Sequence, residues 1–324
     1  MGLSSKERYY LKVKAAYLCY LQDMTQVEAA QSLGISRPTL SKLLKEAKEE
    51  GIVRIQIQDF RRVDKLVELE AQLMERLQLR DVRVAGAASG EEAQVLGRIG
   101  EVAAEYFSQT VKNGMKIGLS WGKTLDAVSH FLSPDPKVKG LEFIPLLGGP
   151  SQSAAGYRFV NSIGERFASN YPDSNITYIH APLLAPSREA ADAYYAMEPL
   201  QSAWAQLDRL DMALLGVDGD PLHSTSLTAE KVRGNLAAEL VEKGVVGNVC
   251  TRFYDIQGRC CSGLDDRVLA IRPEVLKKIP LRIGVAGGKW KVKSIIGAAR
   301  GGFYNVLITD ETTAKALLEL LDAA

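Results

Sequence analysis

Residues 25–51, TQVEAAQSLGISRPTLSKLLKEAKEEG, constrain the fold more than any other stretch of the chain. Thr25 and Glu28 have the capping-box spacing, at which a hydroxyl and a carboxylate satisfy orphan N–H groups at a helix start. Val27, Ala29, Ala30 and Leu33 give that helix an apolar side, and Gly34 ends it. Ser36 is placed to cap a second helix, with Pro38 in its first turn, where a missing N–H costs nothing. Leu40, Leu43, Leu44 and Ala47 recur at i, i+3, i+4 and i+7 and form one buried stripe. Arg37, Pro38, Thr39, Ser41, Lys42 and Lys45 lie off it.

Two short helices joined by a glycine turn, the second opening with small and donor-bearing side chains, form a helix-turn-helix. Such a helix fits the major groove of double-stranded DNA. Arg37, Thr39, Ser41 and Lys42 would approach base edges and Lys45 a phosphate. A surface hairpin with solvated cations is the plainer reading. Caps, turn and polar face agree on the helix-turn-helix.

The flanks extend this unit. A helix over Glu7–Leu21 would turn Tyr10, Val13, Ala16, Tyr17 and Tyr20 inward, leaving Arg8, Lys12 and Lys14 for phosphates. Ile52–Gln58 alternates apolar and polar residues, as a wing strand would. Phe60–Leu79 carries Val63, Leu66, Val67, Leu69, Leu73, Met74 and Leu77 on one helical surface. It reads as a connector that packs on a second domain or pairs with its twin in a dimer. The expected domains are a winged helix-turn-helix at 1–59, the connector at 60–80 and a binding domain at 81–324.

Whole-chain properties narrow the function. A chain of 324 residues has room for two domains, and its formal charge of +1 argues against coating nucleic acid along its whole surface. The first residues mix charges into their apolar pattern, unlike a signal peptide, and no run of about 18 apolar residues offers a membrane span. Four cysteines lack C-x-x-C spacing and three histidines are scattered, so no metal and no cofactor is expected. Reduced thiols in a cytoplasmic protein follow.

Beyond Val82, strand patterns alternate with helical ones. Strands are expected at Val82–Ala85, Lys116–Ser120, Leu141–Leu147, Ile176–His180, Met212–Val217, Leu281–Ala286 and Asn305–Thr309. Helices are expected at Glu91–Gln109, Lys123–Leu132, Phe159–Ser169, Arg188–Leu210, Ala229–Lys243, Lys291–Arg300 and Glu311–Leu320. Such alternation predicts an α/β fold with a doubly wound, mostly parallel, Rossmann-like sheet. Val246–Cys261 looks instead like a hairpin turning at Gly258.

Ligands of such sheets bind beyond the carboxyl ends of the strands. Ser120-Trp121-Gly122-Lys123-Thr124 joins a strand to a helix and can cradle a phosphate, although it is not a nucleotide-triphosphate loop. Gly148-Gly149, Asp218-Gly219 and Gly287-Gly288-Lys289 are three further glycine turns. Glycines serve ordinary reversals too. Together with lysines at two of the four loops, they favour a small anionic ligand.

LGISRPTLSKLLKEAKEEGIVRI, GLSWGKTL, PLLGG, GNVCTRFYDIQGR and VAGGKWKVKSIIGAARGGFYNVLITDETTA resemble, in order and spacing, the SorC/DeoR family of sugar-binding bacterial transcriptional regulators. The resemblance covers nearly the whole chain. It implies a phosphosugar-isomerase-like effector domain, dimers or tetramers, and a phosphorylated sugar, polyol or sugar acid as effector. Carried over by position, the phosphate site would combine Ser120–Thr124 with Gly288 and Lys289, and Asn161 would face the ligand. Leu147 stands where members with a second charge or an imine carry arginine or lysine. That excludes an imine there and disfavours a bisphosphate. Asn248 stands where the family often has an acidic hydroxyl acceptor, and an amide, which both donates and accepts, implies a different hydroxyl pattern.

A phosphosugar isomerase with an appended DNA-binding domain is the alternative. Isomerisation needs an acid and a base at the reacting carbons, and only Asp218 and Asp255 come near the glycine loops. A structural or hydroxyl-binding role suits each better.

Overall fold

The computed structural model describes residues 5–53, 63–86, 92–149, 160–224, 227 and 236–323. The chain divides into two compact units, Met1–Asp64 and Lys65–Ala324.

In the first unit, helices α1 (Ser5–Tyr20), α2 (Gln26–Ser32) and α3 (Arg37–Glu49) enclose a small core. The local signals act as chemistry requires. The Thr25 backbone N–H donates to Glu28 at 2.8 Å, and Glu28 N–H donates to the Thr25 hydroxyl at 3.3 Å. Ser36 Oγ accepts from Thr39 N–H at 3.3 Å, and Gly34 adopts φ +65° in the turn. Leu40, Leu43, Leu44 and Ala47 are buried as the spacing requires, and Ala29 and Ala30 meet them from α2, whereas Val27 is exposed.

Helix α1 presents a different face from the one expected. Ala16 is buried as expected and Ala15 joins it, while Tyr10, Val13, Tyr17 and Tyr20 are exposed. Small alanines let α1 approach α3 closely, and the bulkier stripe is left outside. Lys12 is also buried, its ammonium paired with Glu50, and Arg8 bonds Glu46 at 2.6 Å. Both cations tie α1 to α3 and are thereby withdrawn from phosphate contact. Lys14 is exposed. Ile52 and Val53 form a bend, and the rest of the expected wing lies outside the described residues.

The second unit begins with α4 (Val63–Leu77). Its start near Phe60 lies outside the described residues. Leu73 and Leu77 are buried in the large core, and Leu66, Leu69 and Met74 pack against it. Most of the connector's apolar stripe is therefore used within its own unit. Arg76 bonds Asp322 and, at 2.7 Å, the Leu321 carbonyl, fastening α4 to the last helix.

Among the described residues, seven strands form one sheet: β1 (Asp81–Ala85), β2 (Lys116–Leu119), β3 (Glu142–Pro145), β4 (Asn175–Ile176), β5 (Met212–Gly216), β8 (Leu281–Val285) and β9 (Val306–Asp310). Their spatial order is β1-β9-β8-β5-β2-β3-β4, and every pairing is parallel. The central strands are buried along nearly their whole length, as a sheet covered on both faces demands. β2 leads outward to β3 and β4, whereas β5 leads the other way to β8 and β9. The winding reverses between β2 and β5, and a crevice opens at the carboxyl ends of two such diverging strands.

Two expectations yield to local chemistry. The helix over Arg188–Leu210 breaks into α8 (Arg188–Ala196) and α9 (Glu198–Ala205), with extended Met197 between them. Pro199 has no N–H to donate and its ring would strike the preceding turn, so the helix must restart. β6 (Val245–Val249) and β7 (Arg252–Asp255) do form an antiparallel hairpin, but it turns at Cys250-Thr251. Gly258 instead serves the following turn, where Asp255 accepts from Gln257 and Arg259 N–H groups. The expected helix over Ala229–Lys243 is seen as Leu236–Glu242, residues 229–235 lying outside the description.

Candidate functional site

The crevice between β2 and β5 holds a cavity of about 500 Å³. That volume suits a small ligand. Ser120 ends β2 and joins the two diverging strands: its N–H donates to Leu214 O at 3.0 Å and its Oγ accepts from Gly216 N–H at 2.8 Å. Gly122 follows at φ +121° and opens α6 (Lys123–Phe131) without a capping side chain. The first N–H groups of α6 and its dipole thus face the cavity that Gly122, Lys123 and Thr124 line. Lys123 pairs with Glu92 at 3.6 Å, and both side chains are well exposed, so the pair is worth little.

The loop after β5 carries the polar wall. Asp218 accepts from Gly219 N–H at 3.0 Å, Ser224 Oγ at 3.1 Å and Asn248 Nδ2 at 3.3 Å. Asn248 Nδ2 also lies 3.3 Å from Ser224 Oγ, and both residues are buried. The hairpin is stitched here by Asp218 N–H donating to Asn248 O at 3.0 Å. Its tip completes the wall, with Cys250 at φ 49° and Thr251 at φ 61°. Both central residues of this turn take the left-handed conformation of a type I′ hairpin. Without glycine or asparagine that costs on the order of 1 kcal/mol each. Burial pushes the Cys250 thiol up to about 12, so it lines the cavity as a neutral, unreactive group.

The loop after β8 supplies the cation. Residues Lys289–Lys291 make a 3-10 turn before α12 (Val292–Arg300), and the turn sends alternate lysines to different places. Lys289 is exposed and does not line the cavity. Lys291 is buried and does, with Nζ donating to Val217 O at 3.0 Å and lying 4.9 Å from the Trp290 ring centroid. Burial lowers its pKa, and Asp218 only partly offsets this. An ammonium held so is poised to gain from an anion.

Of the expected effector residues, Ser120, Trp121, Gly122, Lys123, Thr124, Asp218 and Asn248 come together around this cavity. Gly148, Gly149, Asn161, Gly288 and Lys289 do not. Gly148 N–H donates to Leu269 O at 2.8 Å and Gly149 N–H to Ala181 O at 3.0 Å, so this turn is closed by backbone pairing. Asn161 exchanges two bonds of 3.4 Å with the backbone of Ile179. Gly288 N–H is taken by Thr313 Oγ1 at 2.7 Å and Asp310 Oδ2 at 3.2 Å. Lys291, Trp290, His223, Cys250 and Thr251 also line the cavity and were not singled out from the sequence. A lysine pair spaced by two across a tryptophan was the available signal for Lys291.

In the first unit, Arg37, Pro38, Thr39, Ser41, Lys42 and Lys45 all lie on the exposed side of α3. Thr39 Oγ1 bonds Ser36 Oγ at 2.8 Å, and Lys45 pairs with Glu49 at 3.8 Å. Among the described residues no helix is long and apolar enough to cross a membrane, and no group of side chains could hold a metal ion.

Residues 61–319 match the family model described as a putative sugar-binding domain. The chain is 32% identical to the deoxyribonucleoside regulator of Bacillus subtilis over 97% of its own length and 98% of that protein's. It is 31% identical to the sorbitol operon regulator of Klebsiella pneumoniae, covering 95% of this chain and 98% of the relative. The crystal structure of that full-length regulator, SorC, superposes with a TM-score of 0.74 at 30% identity, over 97% of this chain and 100% of that one. These relatives are named as regulators rather than enzymes. The match runs through both units, and the chain belongs to the SorC/DeoR family of sugar-binding transcriptional regulators.

Proposed function

We propose that this regulator of a carbohydrate operon binds double-stranded operator DNA through α3 and changes its operator affinity when the β2/β5 crevice takes up an effector with one anionic group. The effector is a sugar monophosphate or, with the same charge logic, a phosphorylated polyol or sugar acid. The observation that carries this reading is Lys291, a buried cation at the cavity wall with a depressed pKa. An anion beside the open N-terminus of α6 would compensate it. Lys291 is the buried cation of the described lining, while Lys123 lies exposed beside Glu92, so the wall favours one anionic group over two. Asn248 and Thr251 line the same wall and would meet the effector's hydroxyls.

A single helix-turn-helix buries too little surface for tight specific binding. A symmetric dimer or tetramer would set two α3 helices on repeated half-sites. Because α4 spends most of its apolar stripe within its own unit, the self-association surface lies largely elsewhere.

The DNA reading makes a paired expectation. Arg37→Ala should cost about 1–3 kcal/mol on operator DNA and relax specificity at one base pair, as loss of a bidentate base contact does. Lys45→Ala should weaken all sequences alike and flatten the salt dependence. Anisotropy titrations of operator and random duplexes distinguish the two. Equal losses on both duplexes for Arg37→Ala would refute its assignment to a base.

A further inference from the structure

We infer that Trp290 is a stacking platform for a closed sugar ring, so that the effector is bound as a furanose or pyranose rather than as an open chain. This rests on the phosphosugar reading of the crevice and narrows its ligand class. Trp290 lines the cavity, yet 45% of it is exposed, unusual for the largest apolar side chain. Its position is built into the backbone. A Cβ at Gly219 would overlap the indole, and one at Gly288 would come within 2.9 Å of Nε1. The loops after β5 and β8 thus each place a glycine where the ring lies, and His223 flanks it with ring centroids 5.8 Å apart.

The same indole lies 4.9 Å from Lys291 Nζ, so one small ligand can place an anion at the ammonium and a ring against the aromatic surface. One face of a closed sugar ring presents a patch of C–H groups, positively polarised, that suits the negative face of an indole. An open-chain polyol phosphate has the same charge, with one more hydroxyl in place of the ring oxygen, but offers no such flat patch. It must also lose more rotational freedom on binding. Trp290 would therefore discriminate by ring closure, while Lys291 is indifferent to it.

The test uses pairs with one carbon skeleton and one charge, in which reduction of the anomeric carbon abolishes the ring: glucose 6-phosphate against sorbitol 6-phosphate, and ribose 5-phosphate against ribitol 5-phosphate, with inorganic phosphate as a third probe. Calorimetry on the full chain should give at least one pair in which the closed form binds tenfold tighter or more. Trp290→Ala should bring that ratio close to one while inorganic phosphate still binds, and Trp290→Phe should retain most of the ratio. Equal or tighter binding of the open-chain partners, or a ratio that Trp290→Ala leaves untouched, overturns the inference even if Lys291→Ala abolishes binding. Failure of every probe, inorganic phosphate included, overturns the phosphosugar reading and this inference with it.

Discussion

Lys291→Ala is expected to weaken binding of a sugar monophosphate by roughly tenfold to a hundredfold, the loss of a charge-assisted bond worth about 1.5–3 kcal/mol. Operator binding without effector should stay within a factor of two, because Lys291 belongs to the unit that does not contain α3. Stability without ligand should change little. The variant gives up one bond to the Val217 carbonyl but also the cost of a buried cation. The pH dependence follows from the lowered pKa. A folded pKa below the unfolded one means that the cost of the buried charge is fully present below the folded pKa. It is relieved as pH rises through the window up to the unfolded value, so stability climbs there in wild type and not in Lys291→Ala. Effector affinity should show the opposite trend. The anion needs the charged ammonium, so binding should fade with rising pH before an ordinary lysine would titrate. Calorimetry across alkaline pH checks both signs, and wild-type affinity in Lys291→Ala would remove this residue from the site.

Leu40→Ala should have the largest effect on the DNA-binding unit. Leu40 is fully buried in a small core with Ala15, Ala29 and Leu44 as neighbours in the cluster. Truncation of a buried leucine costs about 2–5 kcal/mol. At roughly 0.05–0.15 kcal/mol per residue, a unit of this size has little more stability than that to lose. Specific operator binding should collapse while effector affinity, measured on the same preparation, stays unchanged. An operator affinity within twofold of wild type would contradict the packing described for α3.

What the sequence made legible was local. Thr25 with Glu28, and Ser36 with Thr39, act within one helical turn, and both caps form as their spacing requires. The strands of the sheet were readable because fully covered parallel strands are short apolar runs bounded by glycines. What was hidden depended on partners far along the chain. The inner face of α1 could not be read from residue size, because Ala15 and Ala16 win the core through close approach to α3. Gly288 seemed a phosphate donor until Asp310 and Thr313, more than a helix away in sequence, claimed its N–H. Cys250-Thr251 carries no turn signature, yet the pairing of Val249 with Arg252 forces it into one. Lys291 rather than Lys289 lines the cavity because a 3-10 turn, not an α-helix, follows Gly288.

The proposed coupling between the crevice and α3 is measured by titrating labelled operator duplex with the full-length protein, with and without a saturating sugar phosphate. The operator would be selected from random DNA, and the ligand chosen by calorimetric binding that depends on Lys291. The ligand should move the operator dissociation constant by about fivefold or more, within the range typical of allosteric coupling, and Lys291→Ala should lose this response. Superimposable operator isotherms with the ligand demonstrably bound would contradict it.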